Sequence, residues 1–293
     1  MRSAGERALD YLFLLPALIF LGVFILYPLA ANVGFSFSEF TLGSAEKTFV
    51  GLDNYRQLVA DPIVWTALTN NVLYALVSVL FQVFIAHILA ATVLVVLPSR
   101  LAVAARSFFF LPVLLSMTVV AILFTFIFDA SDGLLNGLLQ AVGLGQLAHP
   151  WLGDTTTAIF AVISVSQWQS IGYTMLLFIV SMQNIPTELY EAAALDGAKL
   201  LRQYVSITLP QTREMIFVVM VLTVSGAFTV FAEPYILTGG GPGNASQVLA
   251  TYMYRVGFFQ NEMGYASALA TLIFVITLVL SVAQATLFRT GKE

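Results

Sequence analysis

No cysteine occurs in the 293 residues of this chain. That removes disulfides, thiolate metal sites and cysteine nucleophiles from consideration. Histidine is nearly as scarce: His87 and His149 are the only two, too few for a histidine-rich metal centre. Charge is the third shortage. Only 10% of residues are Asp, Glu, Lys or Arg, against 59% hydrophobic, and the mean hydropathy is +0.91. A soluble domain carries roughly a quarter of its residues charged, so lipid must be the main solvent here. The net charge of −4 gives no reason to expect a nucleic-acid partner. With no internal repeat, low-complexity tract or long hydrophilic block, residues 1–293 are expected to form a single transmembrane domain.

What the chain does have is long uncharged stretches. Six are of a length to cross a hydrocarbon core, which takes ~20 helical residues: 11–33, 71–97, 107–128, 157–181, 215–232 and 263–288. The expected fold is therefore all-α with six spans. The first stretch is too long for the ~7–15-residue apolar region of a signal peptide and lacks a small-residue cleavage site, so it is kept as a span. Tyr27, Trp65, Tyr74, Trp151 and Tyr173 fall near span ends, where amphipathic rings suit headgroup depth. Arg2, Arg7, Arg100, Arg106, Lys199, Arg202, Arg213, Arg289 and Lys292 lie on one side of the membrane, and Lys47, Arg56 and Arg255 on the other. The excess of basic residues marks the cytoplasmic side, which puts both termini in the cytoplasm.

The longer internal segment, 182–214, has structure of its own. Residues 184–197 suit a short helix: Asn184 or Thr187 to cap it, Pro186 in the first turn, Glu188 at the positive end and Gly197 at the left-handed position past the last turn. A second short helix over 198–206 has Leu201, Tyr204 and Val205 on one face and is ended by Pro210. On physical grounds two readings stand side by side: an angled element offering apolar side chains to a partner's groove, or a helix pair resting on lipid headgroups.

Within this segment, Glu191-Ala192-Ala193, then Gly197, then Ile207 and Leu209-Pro210 resembles the EAA loop of binding-protein-dependent ABC permeases, and Asp196 and Ala198 fit the same usage. One departure is that Gln211-Thr212-Arg213 stands where many members carry another proline. Phe49-Val50-Gly51-Leu52-Asp53-Asn54-Tyr55, Trp151-Leu152-Gly153, Glu233-Pro234-Tyr235, Leu237-Thr238-Gly239-Gly240-Gly241-Pro242 and Gly264-Tyr265-Ala266 are similar, in order, to segments of the sugar-permease group. The resemblance implies a type I importer permease for a sugar, an oligosaccharide or glycerol phosphate. It also implies as partners a second homologous permease, a cytoplasmic ABC ATPase dimer and an extracytoplasmic substrate-binding protein. Glu188, Glu191, Ala192, Ala193, Asp196, Gly197, Leu201 and Tyr204 are then the residues expected to couple to the ATPase. The chain itself would catalyse nothing and need no cofactor or metal.

Other polar residues invite a role. Thr238, Gly240, Gly241 and Pro242 suggest a phosphate loop, but the Lys-Ser/Thr ending is missing; a flexible turn that docks an extracytoplasmic partner and a plain Gly-Pro loop remain open. Gln82, His87, Gln167, Trp168 and Gln169 lie within spans, where polar groups face a cavity or another helix. A Trp beside Gln suits a sugar, so these five are the expected substrate pathway, with helix packing as the competing role. Glu233 is expected to be solvated at an external helix end. An ion-coupled secondary transporter would usually show carboxylates or bases inside its spans, and only His87 qualifies. An intramembrane enzyme would need a cluster of reactive groups that is absent.

The orientation is testable because the chain is free of cysteine. Single substitutions Gly51→Cys, Gly145→Cys and Gly243→Cys are expected to react with an impermeant thiol reagent in intact cells, and Ala198→Cys is not. Labelling of position 198 from outside would reverse the orientation.

Overall fold

A computed structural model describes the backbone of residues 4–44 and 46–289 and the side chains of 13–44 and 46–288. Arg2, Arg7, Arg289 and Lys292, used above for orientation, lie outside the described side chains. The described chain is helical apart from one two-stranded antiparallel pair, Ser38–Glu39 with Thr48–Phe49. It forms two compact units: residues up to Asp61 together with Met253–Phe274, and Pro62–Tyr252 together with residues from Val275.

In the first unit, helix α1 covers 4–35 and includes the apolar stretch Phe13–Phe35. The strand pair follows, then helix α2, Asp53–Ala60. Buried Asn54 donates to the carbonyls of Ser36 at 2.9 Å and Ser38 at 3.1 Å. Tyr265 donates to Asp61 at 2.8 Å, and the Met263 amide donates to the Phe40 carbonyl at 3.1 Å. Two of the segments quoted for the sugar-permease resemblance are thus folded onto one hairpin.

The second unit holds helix α3 (Pro62–Val95), α4 (Ser99–Leu114), α5 (Met117–Ile127), α6 (Leu134–Ala141), α7 (Ala158–Gln183), α8 (Thr187–Leu195), α9 (Leu200–Gln211), α10 (Arg213–Thr229), α11 (Ala232–Thr238) and the start of α12 (Leu249–Tyr254). The final helix, α13, is Met263–Arg289. Helix α3 begins nine residues before the expected start at Asn71, with Pro62 in the first position, where a missing N–H costs nothing. At 34 residues it reaches ~51 Å, longer than the ~30 Å hydrocarbon core.

Two expectations are corrected. Residues 107–128 are not one straight helix: the chain turns by 99° between α4 and α5. Pro112 lies in a 3-10 turn there, and Ser116 caps α5 by accepting from the Val119 amide at 3.4 Å. Residues 215–232 are likewise broken, since α10 ends at Thr229 and Val230 is extended. Among the described residues three helices are long and apolar enough to cross a membrane, or five if each bent pair is one span. Helix α7 is long enough at 26 residues, but its Ser and Gln residues lower its hydropathy and keep it out of that group.

Two apolar clusters hold the second unit. Tyr74, Val120, Ile163 and Phe228 belong to one, and Val83, Ala90, Phe178 and Val219 to the other. Going along the chain, α3 and α7 pass from the first to the second and α10 from the second to the first, so α3 and α7 run parallel with α10 against them. Asn71, fully buried, joins helix ends: its Nδ2 donates to the Ala227 carbonyl in the last turn of α10 at 2.7 Å, and its Oδ1 accepts the first amide of α12, Leu249, at 2.9 Å. Asn136 does similar work in the segment 129–156, accepting from Trp151 Nε1 at 2.8 Å and donating to the His149 carbonyl at 3.1 Å. Trp151 is therefore a packed, hydrogen-bonded side chain.

Replacing Asn71 with Leu should orphan a carbonyl and an amide at once, at about 1–3 kcal/mol each. The expected result is a thermal midpoint in detergent several degrees below that of the wild type. An unchanged midpoint would show that Asn71 does not hold these ends together.

Candidate functional site

Between the two apolar clusters the facing helices turn polar. Ser78 and Gln82 come from α3, Ser166 and Gln167 from α7, and Thr223 from α10. Gln82 Nε2 donates to Gln167 Oε1 at 2.9 Å, Gln167 Nε2 donates to Ser78 Oγ at 3.0 Å, and Thr223 donates to Gln82 Oε1 at 3.3 Å. Gln82 lies in a wide π-helical turn of α3, Val79–Ile85, a feature common where side chains serve a function.

A cavity of about 300 Å³ adjoins this layer. Helix α7 lines it with Ser166, Ser170, Tyr173, Thr174 and Leu177, positions three and four apart that share one face of a helix. Tyr74, Ser78 and Gln82 line it from α3, Thr223 from α10, and Glu233 from the start of α11. No Lys, Arg or His is among the lining residues. Glu233 is buried, and Tyr74 Oη donates to its Oε1 at 3.3 Å. The expectation of a solvated carboxylate there is thus corrected: the chain folds back at Val230 and carries Glu233 inward.

Of the five residues expected along the pathway, only Gln82 reaches this cavity. Gln167 is consumed by the amide layer. Gln169 Nε2 donates to the Leu115 carbonyl at 2.8 Å, which satisfies a group freed by the break between α4 and α5. Trp168 points elsewhere on α7 and packs edge-to-face on Phe124, with ring centroids 5.3 Å apart. Sequence reasoning passed over Ser170 and Thr174, and it put Tyr173 at headgroup depth and Glu233 in solvent, whereas all four line the cavity. The spacing of Ser166, Ser170, Tyr173 and Thr174 is the pattern that marks them. His87, five residues beyond Gln82 on α3, does not line the cavity.

Helix α8 ends in a Schellman motif, with Ala198 N–H bonded to the Ala193 carbonyl at 2.9 Å and Gly197 N–H to Ala194 at 3.0 Å. Gly197 has φ +79°, as expected, and open space around the position of a Cβ. The capping expectation is corrected: Pro186 occupies the N-cap, and Asn184 donates to the Val180 carbonyl in the preceding helix. Nor does Pro210 end the second helix, which runs from Leu200 to Gln211. A π-helical turn over Tyr204–Thr208 absorbs the lost hydrogen bond and the clash with the preceding turn, and the break falls at Thr212, where α9 and α10 meet at 69°.

Tyr190 and Thr208 hydroxyls lie 2.9 Å apart and tie α8 to α9. Glu188, Glu191, Ala192 and Asp196 are exposed, Ala193 is half-buried, and Leu201 is bare. The most exposed apolar side chain of the elbow is Leu195, at 90%. Tyr204 differs from its neighbours: half-buried, it places its hydroxyl 2.7 Å from His87 Nδ1.

The glycine-rich loop is tied down by buried hydrogen bonds. Ser246, fully buried, bonds the Thr238 hydroxyl at 2.7 Å and the Gly241 carbonyl at 2.6 Å. Asn70 donates to the carbonyls of Ala245 and Gln247 at 2.9 and 2.8 Å. Gly240 is itself buried, with φ +87°, and a Cβ there would strike the Gln247 side chain. Thr238, Gly241 and Pro242 are half-buried, so the outward-facing parts are Gly239 and Gly243. Among the described residues no group of three or more His, Asp and Glu is arranged to hold a metal ion.

A helical membrane chain with a polar cavity lined by its long helices and an exposed, capped elbow has the build of a transport permease. Residues 82–290 match the family described as binding-protein-dependent transport system inner membrane component, and the chain belongs to that family as a multi-pass membrane protein. It is 55% identical to the probable ABC transporter permease protein YurN of Bacillus subtilis (strain 168), over 98% of each chain. It is 33% identical to the arabinooligosaccharides transport system permease protein AraP of the same organism, over 94% of this chain and 87% of that one. With the lactose transport system permease protein LacF of Rhizobium radiobacter it shares 32% over 100% and 98%. Its fold is that of a chain in a bacterial ABC transporter involved in the import of the acidic polysaccharide alginate, with a TM-score of 0.85 at 24% identity over 99% and 98% of the two chains. A chain of the alginate transporter in complex with its alginate pentasaccharide-bound periplasmic protein gives 0.86 at 23%, over 99% and 96%.

Because space around Gly197 is open, its replacement should act through backbone strain alone. Gly197→Ala is expected to cost about 1 kcal/mol and to be tolerated, whereas Gly197→Val, β-branched at a left-handed position, should displace the elbow and remove most uptake while the chain still inserts. Normal uptake by the Val variant would show that the corner's conformation is unimportant.

Proposed function

We propose that this chain is the permease subunit of an ATP-driven importer for a neutral sugar or oligosaccharide. The observation that carries this reading is a cavity lined by hydroxyls, an amide, two tyrosines and one carboxylate, without a cation, in a chain of this family. Sugars are held by aromatic faces and by groups that donate and accept at once, and Tyr173 and Tyr74 beside Gln82, Ser170 and Thr174 supply both. A phosphate or uronate would meet Glu233 and find no positive partner, which favours neutral cargo over glycerol phosphate. The names of AraP and LacF support the sugar class, since those relatives serve arabinooligosaccharides and lactose.

On this reading the chain crosses the membrane six times with both termini cytoplasmic. The parallel run of α3 and α7 supports it, because parallel spans need an odd number of crossings between them, which the bent pair α4 and α5 supplies. A second permease completes the pathway, a binding protein delivers cargo from outside, and a dimer of ATPases hydrolyses ATP; the chain catalyses nothing. The elbow of α8 and α9 docks on the ATPase through Leu195, Leu201 and the exposed acidic residues. Closure of the ATPases moves the elbow, and α10 carries the motion from Thr212 to Thr223 on the cavity wall, eleven residues or ~16 Å away.

Uptake by the assembled complex with its binding protein tests the cavity assignment. Tyr173→Ala is expected to lower transport about tenfold, the equivalent of ~1.4 kcal/mol of lost contact, with assembly intact. Trp168→Ala should leave uptake per assembled complex near normal. The reverse pattern would move the pathway to the Trp168 side of α7.

A further inference from the structure

His87 joins α3 both to α9 of the elbow and to the hinge residue Thr212. It stands five residues beyond Gln82 on α3, just past the π-helical turn Val79–Ile85. Its exposure is 2%. Nδ1 lies 2.7 Å from the Tyr204 hydroxyl on α9, and Nε2 lies 2.8 Å from the hydroxyl of Thr212, the residue at which α9 bends into α10. Thr212 is fully buried and donates in turn to the Thr208 carbonyl at 2.8 Å. The ring also packs edge-to-face on Phe178 of α7, with centroids 4.8 Å apart. Both ring nitrogens are therefore occupied, which leaves none for cargo.

A neutral imidazole has one donor and one acceptor at opposite ends, and a hydroxyl can serve either. Because Thr212 commits its one hydroxyl proton to the Thr208 carbonyl, Nε2–H donates to Thr212 and Nδ1 accepts from the Tyr204 hydroxyl, so the neutral ring bridges the two elements with one donor and one acceptor. An apolar residue of the same size would fill the space without fixing the angle at Thr212. We propose that His87 is the positioning residue that makes the elbow and its hinge move as one body with α3, so that displacement of α8 and α9 arrives at Gln82 and Thr223 instead of being lost in bending at Thr212. Gln82 is on the same helix as His87, and Thr223 is on the helix that Thr212 begins and bonds to Gln82. The cavity wall is thus held at both ends of one closed frame. This inference rests on the reading of the elbow as the ATPase docking element.

The test uses the full complex, with its sister permease, ATPases and binding protein, in proteoliposomes, where uptake and cargo-stimulated ATP hydrolysis are measured in the same vesicles. His87→Phe keeps the ring and its contact with Phe178 but removes both hydrogen bonds. Uptake per ATP hydrolysed is expected to fall about tenfold while hydrolysis continues. Tyr204→Phe and Thr212→Val should each produce part of that loss, and Tyr204→Phe added to His87→Phe should produce none beyond it. His87→Gln, which restores a donor and an acceptor, should recover part of the ratio. An unchanged ratio in His87→Phe, or equal losses of uptake and hydrolysis that His87→Gln does not relieve, overturns the proposal. If His87→Phe does not assemble, the ratio in Tyr204→Phe decides in its place. Cross-linking of Leu195→Cys to the ATPase separates the two layers: an unchanged ratio with cross-linking intact defeats the role of His87 alone, whereas no cross-linking defeats the docking reading itself.

Discussion

A polar group inside a membrane bundle has no water to fall back on, and the amide layer of Gln82, Gln167, Ser78 and Thr223 is where this chain meets that constraint most directly. An unpaired amide in hydrocarbon costs several kcal/mol, whereas an interhelical hydrogen bond contributes only about 0.6–2 kcal/mol. The layer therefore acts less as glue than as a register mark. Sliding α3 against α7 by one turn would keep the apolar clusters roughly matched but would orphan both glutamines. With the register fixed, the serines, threonine and tyrosine on adjoining turns come together around one cavity.

The same constraint governs the places where helices stop. The break between α4 and α5 frees a carbonyl at Leu115, and Gln169 donates to it. The end of α10 and the start of α12 leave a carbonyl and an amide that a single Asn71 satisfies. Broken backbone is tolerated within a membrane protein only where protein buries it, and each break here has its own side-chain partner. The broken spans, in turn, give α10 and α11 their angles and bring Glu233 into the cavity.

Much of this was legible in the sequence, for definite reasons. Charge is so sparse that uncharged stretches mark most helices, and the left-handed corner at Gly197 follows from a helix running into a glycine. What could not be read is the direction in which a given polar side chain points. Gln167, Trp168 and Gln169 are adjacent in sequence but ~100° apart on the helix, and which of them faces the cavity depends on neighbours that no local pattern reveals. The answer was none, because the stripe from Ser166 to Leu177 passes between them. His87 was equally ambiguous, since the π-helical turn before it shifts the helical phase by an amount that residue spacing does not record. The glycine-rich loop misled in the opposite way. Its composition suggests mobility, yet Asn70, Ser246 and Gln247 fasten it, and those partners are polar residues without any distinctive motif.

Leu195 has a bearing on how such a chain is made. With 90% of its surface bare, and Leu201 of the same elbow 76% bare, it adds to the apolar surface that the elbow turns to the cytoplasm in the proposed orientation, and uncovered apolar surface is what cellular quality control acts on. If the elbow docks on an ATPase as proposed, a subunit inserted without that partner would carry this surface uncovered for as long as it waited. Its lifetime in the cell should therefore depend on how promptly its partner is synthesised, and an excess of one over the other would be trimmed by degradation.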